Sequence, residues 1–512
     1  MKLAEPRVES RHKQDSTGRA RNNTAPRSPS LWDSLRKAAK RVVRGASRVL
    51  VYLAVTLAPL VLAWSGMEPG RGFLIDFSVA LGFVGLSLMG LQFLVAARFQ
   101  SVAAPFGMDV LLQYHRQIGY VSLLFILAHP LLLFVADTGY LALLDLTTAP
   151  LRAKMAVTST VALLVLVGLS VWRKKLNVSY ELWQLTHSVL AFVVIAAALT
   201  HVLLVGYYVN EPLEIALWLW MATVFVGLIL WVRVVRPLEL RSKAWRIEAV
   251  IPERGNICTI VLKPSRLHTR KFGRFHFESG QFAWITVDKS PFAITRHPFS
   301  ISSSAKKTDR VALSIKAAGD FTQKIGYLKP GATVYLDGPH GAFTTDRHDG
   351  PGFVFIGAGV GITPLMSMLR TMADRRDPRP CYLFFGNRRW EGVAFREEIE
   401  ELKGRLNLEV VHVLSRPPEG WEGDEGRIDA AVLARHLPER YQRLQYFICG
   451  SDSMMDATED ALVHLGVPRG ESIPSGSVWF EDMRHAYTTV FTVSITALLI
   501  LICILFALGQ GG

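Results

Sequence analysis

The sequence predicts a membrane α-helical bundle, six spans plus one C-terminal span, that carries a β-barrel domain and an α/β domain. Half of the 512 residues are hydrophobic and only 20% are charged, whereas an average soluble domain is about 25% charged. Long apolar runs fill the first half of the chain. The second half changes to short alternating strands and then to alternating strands and helices. These three observations disfavour both a wholly soluble protein and a pure membrane bundle.

Seven apolar runs approach the ~20 residues that a helix needs to cross the hydrocarbon core of a bilayer. They comprise residues 49–64, 73–97, 111–135, 155–171, 182–205, 212–232 and 486–508. The first six follow one another closely, and the seventh comes after the soluble domains. We therefore expect a six-helix membrane domain over residues 46–236 and a C-terminal transmembrane helix over residues 486–508.

The loops on the two sides of these spans differ in charge. Thirteen Lys and Arg residues precede residue 49, whereas the opposite loops are mainly acidic, with Arg152 and Lys154 among the exceptions. Because cytoplasmic loops carry the excess of Lys and Arg, we expect a multi-pass protein of the cell (plasma) membrane with its N-terminus and soluble domains in the cytoplasm. Topology then accounts for most of the net charge of +14, and nucleic-acid binding is not expected. Residues 1–45 are expected to form a basic, disordered cytoplasmic tail.

Four histidines in two of the apolar runs share one spacing. His115 and His129 lie in the third run, His187 and His201 lie in the fifth, and fourteen residues separate the members of each pair. Fourteen residues are close to four helical turns, so both histidines of a helix face the same side, about 21 Å apart along the axis. Two such helices, side by side and parallel, bring the imidazoles together in two layers. Bis-histidine ligation of haem iron needs this arrangement, because each iron takes one neutral imidazole from each side.

This pattern favours two b-type haems over four unrelated structural histidines, since ionisable residues are costly inside a membrane. His115 and His187 are expected to hold the haem nearer the cytoplasm, and His129 and His201 the haem nearer the exterior. Arg116, beside the inner ligand, fits a haem propionate and an ordinary snorkelling anchor equally well. These runs contain no Glu-x-x-His pair, and the chain contains no Cys-x-x-Cys pair. A di-metal carboxylate site, a zinc finger and an iron–sulfur cluster are therefore not expected.

Beyond residue 240 the apolar pattern shortens to strand length. Residues 245–250, 258–262, 282–287, 311–316 and 333–337 are predicted to form the strands of a small antiparallel barrel. Further on, strands 353–356, 382–385, 409–414 and 446–448 alternate with helices 365–373 and 395–402. That order is typical of a doubly wound parallel sheet. We expect the barrel domain over residues 240–345 and the α/β domain over residues 346–481.

A glycine-rich turn joins the first strand and the first helix of the α/β domain. Gly357, Gly359 and Gly361 are followed by Thr363 and Pro364. Because glycine has no side chain, the backbone at such a turn can approach a pyrophosphate closely. The N-terminus of the following helix favours the negative charge of the pyrophosphate. The turn predicts a dinucleotide site, and its position between a strand and a helix strengthens a motif that is weak alone.

Several motifs of the second half, taken in their order, resemble those of the ferredoxin–NADP reductase superfamily in the form found in NADPH oxidases and ferric reductases. They are Gly280-Gln281-Phe282, His297-Pro298-Phe299-Ser300, the segment with Lys316, Gly319, Asp320, Phe321 and Thr322, Asp337-Gly338-Pro339-His340-Gly341, and Cys449-Gly450. The histidine spacing is similar to that of the ferric-reductase-like transmembrane domain. Over about residues 114–480 the chain therefore resembles the bacterial NADPH oxidase / ferric reductase-like transmembrane flavocytochrome b family.

The resemblance implies that the barrel is an FAD-binding domain of the FR type. Ser300 would hydrogen-bond the flavin near N5 as a catalytic residue, and His297, in the motif with Pro298 and Phe299, would contact the FAD phosphates. The second flavin segment would hold the FAD pyrophosphate. Its matching residues are Lys316, Gly319 and Thr322.

The resemblance further implies an NAD(P)-binding role for the α/β domain. Cys449, a second catalytic residue, and Gly450 would lie at the nicotinamide ring, and Thr363 would orient the carboxamide. Arg388 and Arg389 follow the second strand of the sheet, where a guanidinium can fork onto a 2′-phosphate. They favour NADPH over NADH, with two solvated surface arginines as the alternative.

Two features depart from the family pattern near the end of the chain. An aromatic residue stacks on the flavin ring in many members, and the candidates here, Trp479 and Phe480, lie in a segment that matches poorly. We assign Phe480 to the cofactor. The family's membrane core has six spans, so the seventh span is an addition. It would either tether the soluble domains to the bilayer or act as a dimerisation helix.

The predicted cofactors, FAD, two b-type haems and NADPH or NADH, imply an NAD(P)H oxidase or ferric reductase-type oxidoreductase. A hydride passes to FAD, which divides the two electrons into single steps, and the haems carry them to an external acceptor. We expect O2, giving superoxide, and the alternative is a ferric chelate reduced along the same path. A soluble-type reductase anchored to the bundle and a nucleotide-gated transporter with structural histidines are rival functions that need no haem.

Overall fold

A computed structural model describes residues 31–65, 70–97, 99, 108–265, 273–293, 296–348, 350–467, 478–480 and 485–510. The side chains of residues 31–45, 108–110, 478–480 and 485–490 lie outside this description. The described residues divide into two compact units, one up to Arg48 and one from Val49 onwards. Most of the predicted tail, residues 1–30, lies outside the described residues, whereas residues 31–45 belong to a helix.

Among the described residues, six helices of the first half are long and apolar enough to cross a membrane, which confirms the predicted bundle. They are α1 (Leu31–Ser65), α2 (Phe73–Ala96), α3 (Met108–Ala136), α4 (Leu151–Trp172), α5 (Tyr180–Val205) and α6 (Pro212–Leu230). A π-helical turn (Trp231–Val235) leads from α6 into α7 (Arg236–Ser242). The sixth span thus runs on to Ser242 instead of ending at residue 232. The prediction stopped at the first arginine, but backbone hydrogen bonds continue a helix whatever its side chains.

Local sequence sets the ends of α5 and α6. Ser179 Oγ accepts a hydrogen bond from the Leu182 amide at 3.3 Å, a helix N-cap. Gly206 ends α5 with a left-handed φ of 72°, a conformation that favours glycine. Pro212 occupies the first turn of α6, where its missing N–H is not needed. These signals place His187 and His201 near opposite ends of one helix.

Helix α2 lies innermost in the bundle. Of its apolar stretch 67% is buried, against 17–33% for the other spans. It approaches α6 closely at Gly90, where a Cβ atom would lie 1.9 Å from the ring of Phe225. A larger residue would therefore push α6 away from α2.

The domain after α7 is one six-stranded antiparallel sheet in the order β4-β3-β6-β1-β2-β5. Its strands are β1 (Trp245–Glu253), β2 (Ile257–Pro264), β3 (Phe282–Val287), β4 (His297–Ser300), β5 (Val311–Lys316) and β6 (Thr333–His340), with the short helix α8 (Asp320–Lys324) after β5. The predicted strands are present, but the sheet is not a closed barrel: among the described residues the edge strands meet only through one bridge, Ile301 to Leu313. Each edge strand is too short to form a continuous ladder with the other.

The last soluble domain is a parallel six-stranded sheet in the order β10-β9-β8-β7-β11-β12, as predicted for a doubly wound fold. Its strands are β7 (Phe353–Ala358), β8 (Cys381–Asn387), β9 (Leu408–Leu414), β10 (Asp424–Glu425), β11 (Gln445–Cys449) and β12 (Val478–Phe480). The connecting helices are α9 (Ile362–Arg375), α10 (Arg396–Lys403), α11 (Ala430–His436) and α12 (Asp452–His464). The strand order reverses at β7, and ligands bind beyond the carboxyl ends of strands at such a switch point.

The C-terminal helix α13 (His485–Gln510) is the seventh span and packs on its own chain. Thr492 Oγ1 donates to Gln117 Oε1 at 2.7 Å, and Phe491 lies 5.8 Å from Tyr114, centroid to centroid. Leu499 is fully buried. These contacts pack one face of α13 against α3 of the same chain.

Candidate functional site

The four histidines meet in two pairs. The ring centroids of His115 and His187 are 6.2 Å apart, and those of His129 and His201 are 6.4 Å apart. The pairs join α3 to α5 in two layers, as the fourteen-residue spacing predicts. Metal–imidazole bonds are about 2 Å long, so an ion midway between two imidazoles sets their centroids roughly 6 Å apart. Both pairs therefore fit a metal ion held between the rings.

The Nδ1 atoms of three of these histidines have hydrogen-bond partners. His129 Nδ1 lies 2.8 Å from Ser78 Oγ and 2.9 Å from the Ser78 carbonyl oxygen. His201 Nδ1 lies 2.9 Å from the Arg152 carbonyl oxygen, and His187 Nδ1 lies 3.3 Å from Ser170 Oγ. Ligating histidines typically bond through one ring nitrogen to such a partner and through the other to the metal. This arrangement leaves Nε2 of each ring for a ligand.

His115 and His187 form the inner pair and line a cavity of about 640 Å³. Buried polar atoms that line it, Nδ1 of His115, both amide atoms of Gln92 and Oε1 of Gln184, have no hydrogen-bond partner within the described part of the chain. Gly119 also lines the cavity, and a Cβ there would meet nothing within 4 Å. Buried polar groups are rarely left unpaired. A bulky group with polar edges, such as haem, therefore fits this space.

Two histidines per pair are enough ligands for a haem iron but too few for a metal centre built from protein side chains alone. No group of three or more His, Cys, Asp or Glu side chains in the described residues could hold a metal ion. A haem iron needs only two axial ligands from the protein.

The cavity connects the membrane domain with the flavin-type sheet. Four arginines and one acidic residue are among its lining residues: Arg116, Arg233, Arg236, Arg296 and Asp337. Trp284 of β3 lies in the same wall. The excess of positive charge suits an anionic group, such as a carboxylate or a phosphate.

A row of aromatic rings leads from the flavin motif to the inner pair. The centroid distances are 6.4 Å from His297 to Tyr180, 5.5 Å from Tyr180 to Trp183, and 5.4 Å from Trp183 to His187. Sequence reasoning did not single out Tyr180 or Trp183. Their spacing of seven and four residues before His187 places them on its face of α5, and that periodicity is the signal that would have found them.

The residues of the predicted flavin motif lie together on β4. His297 stacks on Phe321 with centroids 3.9 Å apart, and its buried Nε2 has no partner among the residues described. Burial lowers the pKa of His297, so the neutral ring is favoured. Pro298 pairs with Trp284 and Ser300 with Phe282 across the β3–β4 ladder.

The second predicted flavin segment forms the turn into α8. Thr322 Oγ1 accepts hydrogen bonds from the amides of Ala318 and Gly319, each at 2.9 Å. Lys316, at the end of β5, has its Nζ 4.0 Å from the position of a Cβ on Gly359. The flavin segment therefore reaches the glycine turn of the neighbouring domain.

The glycine turn meets the end of β11. Gly359 has a φ of 54°, in the left-handed region. A Cβ on Gly361 would lie 2.1 Å from the carbonyl oxygen of Cys449 and 3.0 Å from the amide of Gly450, so only glycine allows this approach. Thr363, which is buried with Pro364, donates to the Val360 carbonyl at 2.7 Å. Gly357 pairs with Cys449 across β7 and β11.

Arg388 and Arg389 lie exposed beyond the carboxyl end of β8. Sequence reasoning missed a third arginine, Arg416, whose amide donates to the Arg388 carbonyl at 2.8 Å. It follows the neighbouring strand β9, and only the sheet order brings the two strand ends together. The remaining predicted contact, Phe480, pairs with Ile448 through the backbone of β12, but the side chains of Trp479 and Phe480 lie outside the described part.

Comparisons with known proteins match three consecutive parts of the chain. The ferric reductase like transmembrane component matches residues 81–198, the FAD-binding domain residues 259–343, and the oxidoreductase NAD-binding domain residues 355–460. Ferredoxin–NADP reductase B of Sorangium cellulosum is 33% identical over 209 residues, which are 38% of this chain and 83% of the relative. The reductase component of propane 2-monooxygenase of Mycolicibacterium goodii is 30% identical over 255 residues, 48% of this chain and 68% of the relative.

Among solved structures, the cytochrome b5 reductase domain of Ulva prolifera nitrate reductase aligns with a TM-score of 0.40 and 18% identity, over 46% of this chain and 95% of that one. In the family matches, a transmembrane component is followed along the chain by an FAD-binding domain and an NAD-binding domain. They establish a multi-pass membrane oxidoreductase that depends on NAD(P)H. The chain belongs to the ferric-reductase-like, NADPH-oxidase-like transmembrane flavocytochrome family.

Proposed function

We propose that this protein transfers electrons from cytoplasmic NAD(P)H, through FAD and two bis-histidine b-type haems, to an acceptor on the outer side of the membrane. One observation carries the proposal: two histidine pairs lie in layers across the bundle, and the cavity at one pair is walled partly by the flavin-type domain. A reductase that was merely anchored would need neither layer. A transporter would not need the shared cavity.

The bound groups supply the redox chemistry, because flavin takes a hydride and releases single electrons while haem iron carries one electron at a time. The protein side chains bind and orient these groups. His115 and His187 would hold the inner haem, and His129 and His201 the outer one. Tyr180 and Trp183 lie between the flavin motif and the inner pair, where their rings would limit the entry of water.

The flavin and nicotinamide sites would share the cleft between the two soluble domains. His297, Pro298, Phe299 and Ser300 would line the flavin, with Lys316, Gly319 and Thr322 at its pyrophosphate. Gly357, Gly359, Gly361, Thr363 and Pro364 would receive the dinucleotide, and Cys449 and Gly450 the nicotinamide. The close approach of Gly361 to Cys449 supports the nicotinamide assignment, and that of Lys316 to Gly359 supports the shared cleft.

The exposed guanidinium groups of Arg388 and Arg389 support NADPH as the donor. No acidic side chain pairs with either of them in the described ranges, so both are available to a phosphate. Arg416 at the next strand end adds to the same positive surface. These arginines follow the carboxyl ends of β8 and β9, and a dinucleotide would bind at this edge of the sheet.

For the acceptor we propose O2, which would be reduced to superoxide. The loops opposite the soluble domains contain no Cys or His that would capture a ferric ion. Iron held by a histidine on each side would have no open position, so reduction would occur at the haem edge. Ferric-chelate reduction is the second candidate, because a chelate also needs only contact with that edge.

An anaerobic absorbance spectrum of the purified protein, before and after NADPH, tests this function. We expect low-spin b-type haem bands, a haem content near two per chain, and reduction of both haems through bound flavin. Flavin without haem would overturn the proposal in favour of an anchored reductase. Superoxide and ferric-chelate reduction, measured side by side with superoxide dismutase as a control, decide the acceptor.

A further inference from the structure

A buried carboxylate joins the flavin-type sheet to the last turns of the membrane domain. Asp337 lies on β6, and its side chain is 5% exposed. Its Oδ1 accepts a hydrogen bond from Arg236 Nη2 at 2.5 Å, and its Oδ2 accepts one from Arg296 Nη1 at 3.5 Å. His340 Nε2 lies 3.6 Å from Oδ1. Because Arg236 belongs to α7 and Arg296 to the sheet domain, one carboxylate contacts both domains.

The ion pair of Asp337 with Arg236 is more buried than the exposed ion pairs of the soluble domains. Burial alone would raise the pKa of Asp337, but His340 and Arg236 outweigh burial and hold the pKa well below its usual range. The carboxylate is therefore charged at neutral pH. Removing one member of a buried pair leaves an uncompensated charge, whereas most exposed pairs contribute little.

Asp337 is also the single acid among the described residues that line the inner cavity. Arg233, one turn before Arg236, donates to Ser188 Oγ of α5, one residue after His187. The arginines of the sixth span thus contact both the flavin-type sheet and the helix turn that carries the inner histidine. No other acid in the described lining could hold Arg236 and Arg296 together.

We propose that Asp337 is a positioning residue that sets the distance between the flavin site and the inner histidine pair by holding Arg236 and Arg296 in one cluster. This inference rests on the proposed function. A misplacement of about 1 Å can cost on the order of 100-fold in a step that depends on prearranged geometry. Loss of the carboxylate should slow the transfer between the two sites and leave the hydride step at the flavin intact.

The test uses full-length Asp337→Asn, which keeps the shape of the side chain and removes its charge. Anaerobic rapid mixing with NADPH separates bleaching of the flavin from reduction of the haem bands. We expect flavin bleaching within about twofold of the unmodified protein, and haem reduction slower by about 10- to 100-fold. Hydrogen–deuterium exchange without NADPH should become faster in residues 231–242 and 333–340, a readout that is independent of turnover.

Glu397→Gln is the matched control. It removes the pair of Glu397 with Arg254, which also crosses between two domains but is 63% and 38% exposed. Both rates should stay unchanged in this variant. Unchanged haem reduction and unchanged exchange in Asp337→Asn would overturn the inference.

Two further variants keep the inference testable if Asp337→Asn does not fold. Arg236→Gln and Arg296→Gln remove the partners one at a time, and each should slow haem reduction more than flavin bleaching. Equal slowing of both steps would refute the positioning role. Unmodified protein without haem would refute the proposed function itself, whereas normal haem reduction in all three variants would refute only the role of Asp337.

Discussion

Replacing Ser170 by alanine should weaken the inner histidine pair and leave the outer pair intact. Ser170 Oγ lies 3.3 Å from His187 Nδ1 and accepts a hydrogen bond from Trp183 Nε1 at 3.2 Å. Among the described residues no other group bonds to that nitrogen of His187. The substitution therefore frees both the ligand ring and the tryptophan packed beside it.

The size of the effect follows from the contact that is lost. Partners of ligating histidines change metal affinity or activity by about 10- to 100-fold. A separation of 3.3 Å is at the long end for a hydrogen bond, so we expect the lower limit, about tenfold or roughly 1.4 kcal/mol. The inner haem should be released correspondingly faster.

Ser78→Ala is the matched control at the outer pair. Ser78 Oγ lies 2.8 Å from His129 Nδ1, but the carbonyl oxygen of Ser78, 2.9 Å from the same nitrogen, survives the substitution. Haem release from the outer site should change by no more than about twofold, because a backbone acceptor still satisfies the ring.

The assay follows haem transfer from the purified protein to excess apomyoglobin. Unmodified protein and Ser78→Ala should release haem slowly and alike, and Ser170→Ala should show a faster phase that accounts for half of the haem. Equal release from all three proteins, or an equal effect of both serines, would refute the reasoning from Nδ1 contacts.

Three further predictions concern the soluble domains. Replacing Arg388 and Arg389 together by alanine should raise the KM for NADPH about 10- to 100-fold, since hydrogen bonds to charged groups contribute about 1.5–3 kcal/mol; an equal rise for NADH would contradict a 2′-phosphate contact. Gly361→Ala places a Cβ 2.1 Å from the Cys449 carbonyl oxygen, so the free energy of unfolding should fall by about 1–3 kcal/mol. Flavin bleaching by NADPH should be lost as well, and normal bleaching would contradict this prediction. Because the folded pKa of Asp337 is depressed, its stabilisation is present above the unfolded pKa of about 4 and is lost only at lower pH. The difference in thermal midpoint between the unmodified protein and Asp337→Asn should thus stay constant from about pH 8 to about pH 5, and a difference that shrinks in this range would contradict the depressed pKa.

The sheet domains show where sequence patterns suffice and where they do not. Alternation of apolar residues predicted β1 to β3, β5 and β6, because strand burial is a local pattern. The same pattern also suggested a closed barrel, but closure depends on how far β4 and β5 pair with each other. Only the bridge from Ile301 to Leu313 joins them in the described residues, and no local pattern encodes that length.

The end of the sixth span was missed for a related reason. Hydropathy falls at Arg233 and Arg236, so the prediction ended the helix at residue 232. Backbone hydrogen bonds continue the helix past both arginines, and distant groups bind their side chains, Ser188 for Arg233 and Asp337 for Arg236. Those partners lie on other elements, and a window of neighbouring residues cannot include them.

The sequence by itself determined the membrane spans, the two layers of histidines and the order of the nucleotide-binding motifs, because helical period, apolar length and short motifs depend on residues close together in the chain. The tertiary structure decided which groups support these residues. Ser78 meets His129 across 51 positions of sequence, and Arg236 meets Asp337 across 101. Such contacts follow from the packing of whole helices and sheets against one another, and this packing alone brings the flavin-type sheet to the cavity of the inner pair.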